Sequence, residues 1–546
     1  MEQIREFIEA RIMALYGIEV VVSLTRPDVQ FGDYSTNVAL QLSKQLGQNP
    51  RQIADEICTD LQHESITHTQ VEGPGFINIT LSDSILVALA ESTIAMPSTG
   101  TSVVIETNNP NPFKAMHIGH AFNSVLGDTL ANLLEQSGAD VYRVSYHGDV
   151  GLHVGKSMYS LLKYVDGDVD KLRDIAPAER NTFMSHMYAA GSRAYKEDEQ
   201  AKAEINELTK QSFTRDNALY AAVYDTVFAW SFEQIDKNVA RLGNKPTAQK
   251  FLESEAELRG VEIVRNNTPH IFQESDGALI FKGSEHGSFD NAFVSNRGTG
   301  LYAARDLGLI QLKNEHYHAA KSYIVTAEEQ RAYFKGVIAA AELCFPELTG
   351  VTVNISTGTV KLATGKMSSR EGDVLEIDWL FDQVAEAIKA RGGEPNDELI
   401  AGVLRYEFLR VRIGSDVVFD VNEAVSLQGN SGPYLQYAHA RAQSILDKFD
   451  FHAGSLRTYT FEPEERSLIR KIGEFHEVVE LACKELLPHH IAHYLYELAQ
   501  VFNRFYENNR VIGDSRQAVR ADLVNLYAQT LSRGLGLLGI NAPESM

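Results

Sequence analysis

Two short segments carry residues suited to chemistry on phosphate. The first is Lys114-Ala115-Met116-His117-Ile118-Gly119-His120; the second, much later in the chain, is Gly365-Lys366-Met367-Ser368-Ser369-Arg370. Imidazole N–H groups at the start of a helix donate hydrogen bonds to phosphate oxygens, and the helix dipole adds to the attraction. Lys114 and Lys366 supply cations for charge that builds up on a phosphoryl group. Ser368 and Ser369 add hydroxyls on a loop able to close over a bound nucleotide. Gly119 leaves room for a ligand to approach the backbone. The plainer alternative is that His117 and His120 only cap a helix, but the second segment speaks for chemistry, because a motif is tested by its context. A zinc pair fits poorly: the histidines stand three apart with glycine between them, and no cysteine is near. No bound metal is expected.

The elements that must position these groups are legible around them. Val103–Ile105 is a β-branched run and predicts a buried strand. An Asn/Pro loop, Asn108–Pro112, follows. Phe122, Leu126, Leu130, Leu133 and Leu134 recur at helical spacing, and Val141–Tyr146 predicts a second strand. This β-loop-α-β order opens a parallel nucleotide-binding sheet. Strand-like runs return at Leu301–Ala303 and Tyr323–Val325. Residues 155–290, mixed and charged, read as an insertion. Turn-forming clusters at Met96–Gly100 and Arg391–Pro395 mark boundaries. Three parts are expected: 1–98, a small α/β domain that includes a Pro-Gly turn and strand in Val71–Leu81; 99–390, a Rossmann-like catalytic domain; and 391–546, a helical bundle. In the last part Ile491, Tyr494, Leu495, Leu498, Val501, Phe502 and Phe505 form one apolar stripe.

Composition narrows the class. With 44% hydrophobic and 23% charged residues in 546, the chain has the balance of a globular protein. No run of 18 apolar residues appears, so no membrane span is expected. The N-terminus lacks the pattern of a signal peptide. Cys58, Cys344 and Cys483 lie far apart, which argues against a disulfide framework and for a cytoplasmic location; each reads as a small apolar residue rather than a nucleophile. Net charge is −23, mildly against nucleic acid as a partner. The acidity is uneven: residues 1–100 hold 5 Lys+Arg against 13 Asp+Glu, while 401–546 hold 15 against 18, so the C-terminal part is the better place for a polyanion.

The paired segments resemble the HIGH and KMSKS motifs of class I aminoacyl-tRNA synthetases. Further blocks resemble the arginyl-tRNA synthetase family over nearly the whole chain. They are Phe31–Asn37 and Gly73–Asn78; Glu106–Lys114; Tyr146–Gly151; Leu301–Asp306; Gly429–Arg441, the most specific of them; and Gly534–Glu544. The resemblance implies ATP-dependent joining of arginine to its tRNA through an adenylate, with Mg²⁺ accompanying ATP. It also implies a monomer that needs tRNA for activation, with the N-terminal domain at the tRNA elbow.

The resemblance further implies residue roles. His117, Gly119, His120, Lys366, Met367, Ser368 and Ser369 would meet ATP. Asn109 and Asn111 would hold the amino-acid backbone, beside His120. Tyr302, Asp306 and Gln330 would line the side-chain pocket, with Glu253 as a further acidic wall. Tyr434, Gln436 and Arg441 would contact tRNA. A guanidinium is a planar cation with donors only, so an acidic pocket suits it. Read locally, Leu301–Asp306 is a strand end followed by a helix cap. The tyrosines and arginines of the C-terminal helices read singly as core and surface ion pairs. The chain departs from the family pattern at Ala121-Phe122, at Val150, and around Gln330, where either Glu329 or Gln330 would face the substrate. Three other readings remain at this point: a class I enzyme for another amino acid, a non-catalytic RNA-binding relative, and a nucleotidyltransferase acting without tRNA.

Overall fold

The computed structural model describes residues 2–59, 61, 63–92, 99–363, 375–448 and 456–546. Five parallel strands form its centre. In spatial order they are Thr352–Thr357, Lys321–Ala327, Ser102–Asn108, Asp140–His147 and Gln249–Leu252. The first strand in sequence, Ser102–Asn108, therefore lies between the second and the fourth. This is the doubly wound order, with its switch point at the carboxyl end of the first strand, where such sheets bind ligands.

The helix Ile118–Gln136 follows that strand and is buried along most of its length, polar residues included. Each of those polar side chains has a partner. Asp128 accepts from Arg143 and Arg405, Asn132 accepts from Arg143, and Ser124 is bonded by Asn244. A helix buried on every side tolerates polar groups only when they are satisfied in this way.

Two excursions leave the sheet. Helices Leu152–Val165, Arg180–Glu197, Glu199–Thr214 and Ala218–Arg241 close over their own apolar cluster, built around Met158, Ile205, Tyr224 and Trp230. A small antiparallel sheet, Phe272–Ser275, Ala278–Phe281 and Asn291–Val294, packs with helices Glu253–Asn266, Tyr302–Tyr317 and Arg331–Cys344. Two expectations change here. Within 155–290, residues Gln249–Leu252 are not an insertion but the edge strand of the central sheet. Leu301–Ala303 is not a strand: Leu301 precedes the helix that begins at Tyr302.

The N-terminal unit sets helices on a three-stranded antiparallel sheet in the order Tyr34–Thr36, Phe76–Leu81, Ile66–Glu72. It docks on the C-terminal helices Pro463–Ile472 and Phe475–Glu485 through ion pairs. Arg26 meets Glu477 at 2.6 Å, and the fully buried Asp33 meets Arg466 at 2.7 Å and Arg470 at 3.2 Å. One apolar core runs from Ile8 through Leu130 to Leu498. The stripe on helix His489–Asn508 is buried in it as expected, except that Val501 is only half-buried. Among the described residues no helix is long and apolar enough to cross a membrane.

Candidate active site

His117 is the cap of helix Ile118–Gln136, and its Nδ1 accepts from the His120 N–H at 3.3 Å. His120 returns the contact, its Nδ1 accepting from the His117 N–H at 3.4 Å, and the rings stack 3.5 Å apart. Both histidines thus take part in capping the helix, and the capping has a chemical consequence. With both Nδ1 lone pairs taken, each neutral ring carries its proton on Nε2. Burial, reinforced by Lys114, pushes the His117 imidazole down to about 4. Burial also holds His120 well below the ordinary histidine value, with His117 and Lys114 adding to it. Both rings are therefore neutral donors at physiological pH.

The two rings line a cavity of ≈ 230 Å³ together with Ile118, Gly119, Phe122, Ala327, Gly358, Val360 and Leu375. These residues come from the first turns of the helix, the carboxyl ends of strands Lys321–Ala327 and Thr352–Thr357, strand Val360–Leu362 and, for Leu375, the chain just before helix Ile377–Ala390. The lining is largely apolar with a few polar groups, which suits a nucleoside. A Cβ on Gly119 would press on the His117 ring at 3.2 Å, so glycine here also protects the ring pair.

Lys366, Met367, Ser368 and Ser369 lie outside the described residues. The chain on either side of that segment is tied to the site. Leu362 and Leu375 both line the cavity. The Ile118 N–H donates to the Leu375 carbonyl at 2.9 Å, and the Ile377 N–H to the Met116 carbonyl at 2.9 Å.

Lys114 is half-buried, and burial lowers its ammonium from the ordinary lysine value, against the pull of Glu253. The residue before it, Phe113, has φ 65°, a left-handed backbone that costs a non-glycine residue strain. Two serines hold it there. Ser231 Oγ accepts from the Phe113 N–H at 3.0 Å, and Ser157 Oγ donates to its carbonyl at 2.7 Å. The helical excursion thereby fixes the direction in which Lys114 leaves the backbone.

Asn109 and Asn111 lace two strand ends together. Asn109 Oδ1 accepts from the Tyr146 N–H and Asn111 Oδ1 from the Gly148 N–H, both at 2.9 Å. Asn109 Nδ2 donates to Glu106 at 2.7 Å, and the other oxygen of that carboxylate takes Lys313 in an almost fully buried pair at 2.5 Å. Glu106 and Lys313 were not singled out from sequence. Their only signal was the acid inside the strand-end block.

Asp306 stands in the second turn of helix Tyr302–Tyr317 and accepts from the Tyr333 hydroxyl. Burial pushes its carboxyl up to about 7, and Glu106 and Glu253 push the same way against Tyr333 and Lys313. Tyr333 also went unnoticed in sequence. Glu253 is not a free acidic wall: Arg305 donates to it at 2.7 Å and to Glu257 at 3.0 Å. Tyr302 is 70% exposed, 5.4 Å from the Arg305 guanidinium. Glu329 and Gln330 both sit exposed just beyond strand Lys321–Ala327.

In the C-terminal helices, Tyr434 accepts from Asn503 and packs against Tyr496, and Arg441 lies 4.4 Å over the Tyr506 ring. Gln436, expected to contact tRNA, is instead turned into the protein. It is 1% exposed, packs on Gly402, and donates to the Asn541 carbonyl at 3.0 Å. It bounds a cavity of ≈ 510 Å³ that shares no residue with the one beside His117. All three cysteines are free, and burial raises each thiol, to about 11 for Cys58 and Cys483 and about 12 for Cys344, so none is a ready nucleophile.

A doubly wound sheet with two locked imidazole donors at its switch point defines an enzyme of nucleotide chemistry. Residues 83–413 match the family described as tRNA synthetases class I (R), catalytic domain; 2–81 match the arginyl tRNA synthetase N terminal domain, and 435–546 the DALR anticodon binding domain. The arginine–tRNA ligase of Frankia casuarinae is 30% identical, covering 96% of this chain and 94% of that protein. That of Bacteroides thetaiotaomicron is 27% identical over 98% of each. The fold is that of the Thermus thermophilus arginyl-tRNA synthetase, at TM-score 0.80 and 23% identity, with all of both chains covered. The chain belongs to the arginyl-tRNA synthetase family of class I.

Proposed function

We propose that the cavity beside His117 and His120 takes ATP, and that the acidic groups around Asp306 take the arginine side chain. The overall reaction is that of the family: arginine is attached to tRNA at the expense of ATP, in translation. The observation that carries the assignment is the reciprocal lock of the two histidines, which leaves two Nε2–H donors at a helix N-terminus.

In the first step the arginine carboxylate attacks the α-phosphorus of ATP, and the bond to pyrophosphate breaks. The carboxylate is ionised at neutral pH, so no base is needed. Catalysis is then alignment and neutralisation of charge on the phosphate oxygens. His117, His120 and Lys114 act there, joined by Lys366, Met367, Ser368 and Ser369 from the second motif; Gly119 and the apolar lining receive the adenosine. Mg²⁺ enters with the triphosphate. Asn109 and Asn111 hold the amino-acid backbone, and Tyr302, Asp306 and Gln330 its side chain. In the second step a ribose hydroxyl of the terminal tRNA adenosine attacks the carbonyl, and AMP leaves. Tyr434 and Arg441 offer an aromatic face and a cation to an unpaired loop of the tRNA. The domains divide at 1–98, 99–390 and 391–546. The enzyme works in the cytoplasm, where its three free thiols persist, and, as the family resemblance implies, as a monomer.

Charging total tRNA with each of twenty labelled amino acids tests the substrate: arginine alone becomes attached, and any other product overturns the side-chain pocket. His120→Ala tests the lock. Adenylate formation should fall by about 10²- to 10³-fold, the usual effect of losing one donor to a developing charge, while tRNA affinity stays unchanged. Equal loss of both marks the histidine as structural.

A further inference from the structure

The central sheet presents one face to helices Glu253–Asn266 and Tyr302–Tyr317. Strand register places Val104 and Glu106 of the first strand, Val144 and Tyr146 of the second, and Phe251 of the edge strand on that face. The covering helices add Glu253, Arg305, Asp306 and Lys313. Nearly every polar group in this layer has its partner: Glu106 has Lys313, Glu253 and Glu257 have Arg305, and Asp306 has Tyr333. The Tyr146 hydroxyl is the exception. It is buried and has no hydrogen-bond partner among the described residues. Its own backbone N–H is held by Asn109, so the side chain starts from a fixed point.

A buried hydroxyl without a partner is costly, and such a group in a native structure points to a ligand that completes it. The charges around it indicate which ligand. Glu106 is balanced by Lys313. Glu253 and Glu257 share the guanidinium of Arg305 as their one ion-pair partner among the described residues, with Lys114 also acting on Glu253. Asp306 is hydrogen-bonded by the neutral Tyr333, and the cation that acts on it, Lys313, is already paired with Glu106. The layer is thus short of positive charge next to an acceptor that lacks a donor. Arginine's side chain is a cation with donors only.

We propose that Tyr146 is a specificity-determining residue of the arginine pocket: its phenol oxygen accepts a hydrogen bond from the substrate guanidinium. This rests on the reading that Asp306 faces that guanidinium, and it adds a neutral acceptor from the sheet to the carboxylate from the helix.

The test is Tyr146→Phe in tRNA charging, with each substrate varied in turn and thermal unfolding measured without substrates. The KM for arginine should rise about 10- to 100-fold, the range for a hydrogen bond to a charged group. The KM values for ATP and tRNA should not move. The unfolding midpoint should hold or rise, because the variant deletes a buried hydroxyl that had no partner. An unchanged arginine KM overturns the proposal. So does a fall in the midpoint with all three KM values raised, which marks the hydroxyl as structural. Asp306→Asn, run in parallel, separates the failures. If it raises the arginine KM while Tyr146→Phe does not, only the role of Tyr146 is wrong; if neither does, the pocket is misplaced as well.

Discussion

At the scale of single residues, Asp306 links burial to pH. Its carboxyl is lifted to about 7, chiefly by burial. The substrate guanidinium stays charged at every accessible pH. Below about 7 the carboxyl is protonated and its attraction for the cation is lost. The arginine KM should therefore fall as pH rises through that value, with a limiting slope of about tenfold per pH unit on the acid side, as one proton requires. Asp306→Asn should remove the dependence, and a flat wild-type profile would show that the carboxyl does not meet the cation. The histidines should add nothing to this profile, since both titrate far below it. What was legible at this scale followed adjacency in sequence. Lys114, His117, Gly119 and His120 share one turn of chain, so type and spacing exposed them. Tyr333 is 27 positions from Asp306, and Lys313 is 207 from Glu106; only folding makes them neighbours.

At the scale of elements, the acidic groups depend on how two helices cross. A Cβ on Gly260 would lie 1.7 Å from the Ala304 carbonyl oxygen, and one on Gly308 2.0 Å from that of Ala256. Backbone meets backbone there, and neither side has a rotamer to yield. Gly260→Ala must wedge helix Glu253–Asn266 away from helix Tyr302–Tyr317. Overpacking of this kind costs about 1–3 kcal/mol or more, and it moves Glu253 relative to Arg305 and Asp306. The expected result is a lower unfolding midpoint and a raised arginine KM, with the ATP KM unchanged, because the cavity beside His117 is built from other elements. Equal changes in both KM values would mean that the crossing supports the whole domain. The two misreadings from sequence occur at these same helices. Leu301–Ala303 looked like a strand because a three-residue apolar run has no resolvable period, and the structure uses it to start a helix. Strand Gln249–Leu252 has four residues with one buried apolar side chain, too little to stand out from charged flanks.

At the scale of the molecule, one arginine joins parts that the sequence shows as separate. Arg405, on helix Asp397–Leu409, is fully buried. It donates to the Leu538 carbonyl at 2.7 Å, the Leu242 carbonyl at 3.0 Å, Asn244 at 2.6 Å, Asp128 at 2.9 Å and Thr129 at 3.1 Å. These partners belong to the last helix, the end of the helical excursion, and the helix that carries His117 and His120 at its start. From sequence Arg405 is one of the C-terminal arginines that read singly as surface ion pairs, because nothing local distinguishes a buried fork from a surface one. Arg405→Met keeps most of the volume and removes the fork. Breaking a buried ion pair from one side costs about 3–5 kcal/mol. The loss should fall near the lower end, because Asp128 keeps Arg143 at 3.1 Å. The freed carbonyls of Leu242 and Leu538 lose donors at the seam between the sheet domain and the C-terminal helices. Denaturant unfolding, followed by separate probes in the two regions, should therefore change from one shared transition to two. Coincident transitions at a lower midpoint would show that the continuous apolar core alone makes the molecule unfold as one unit.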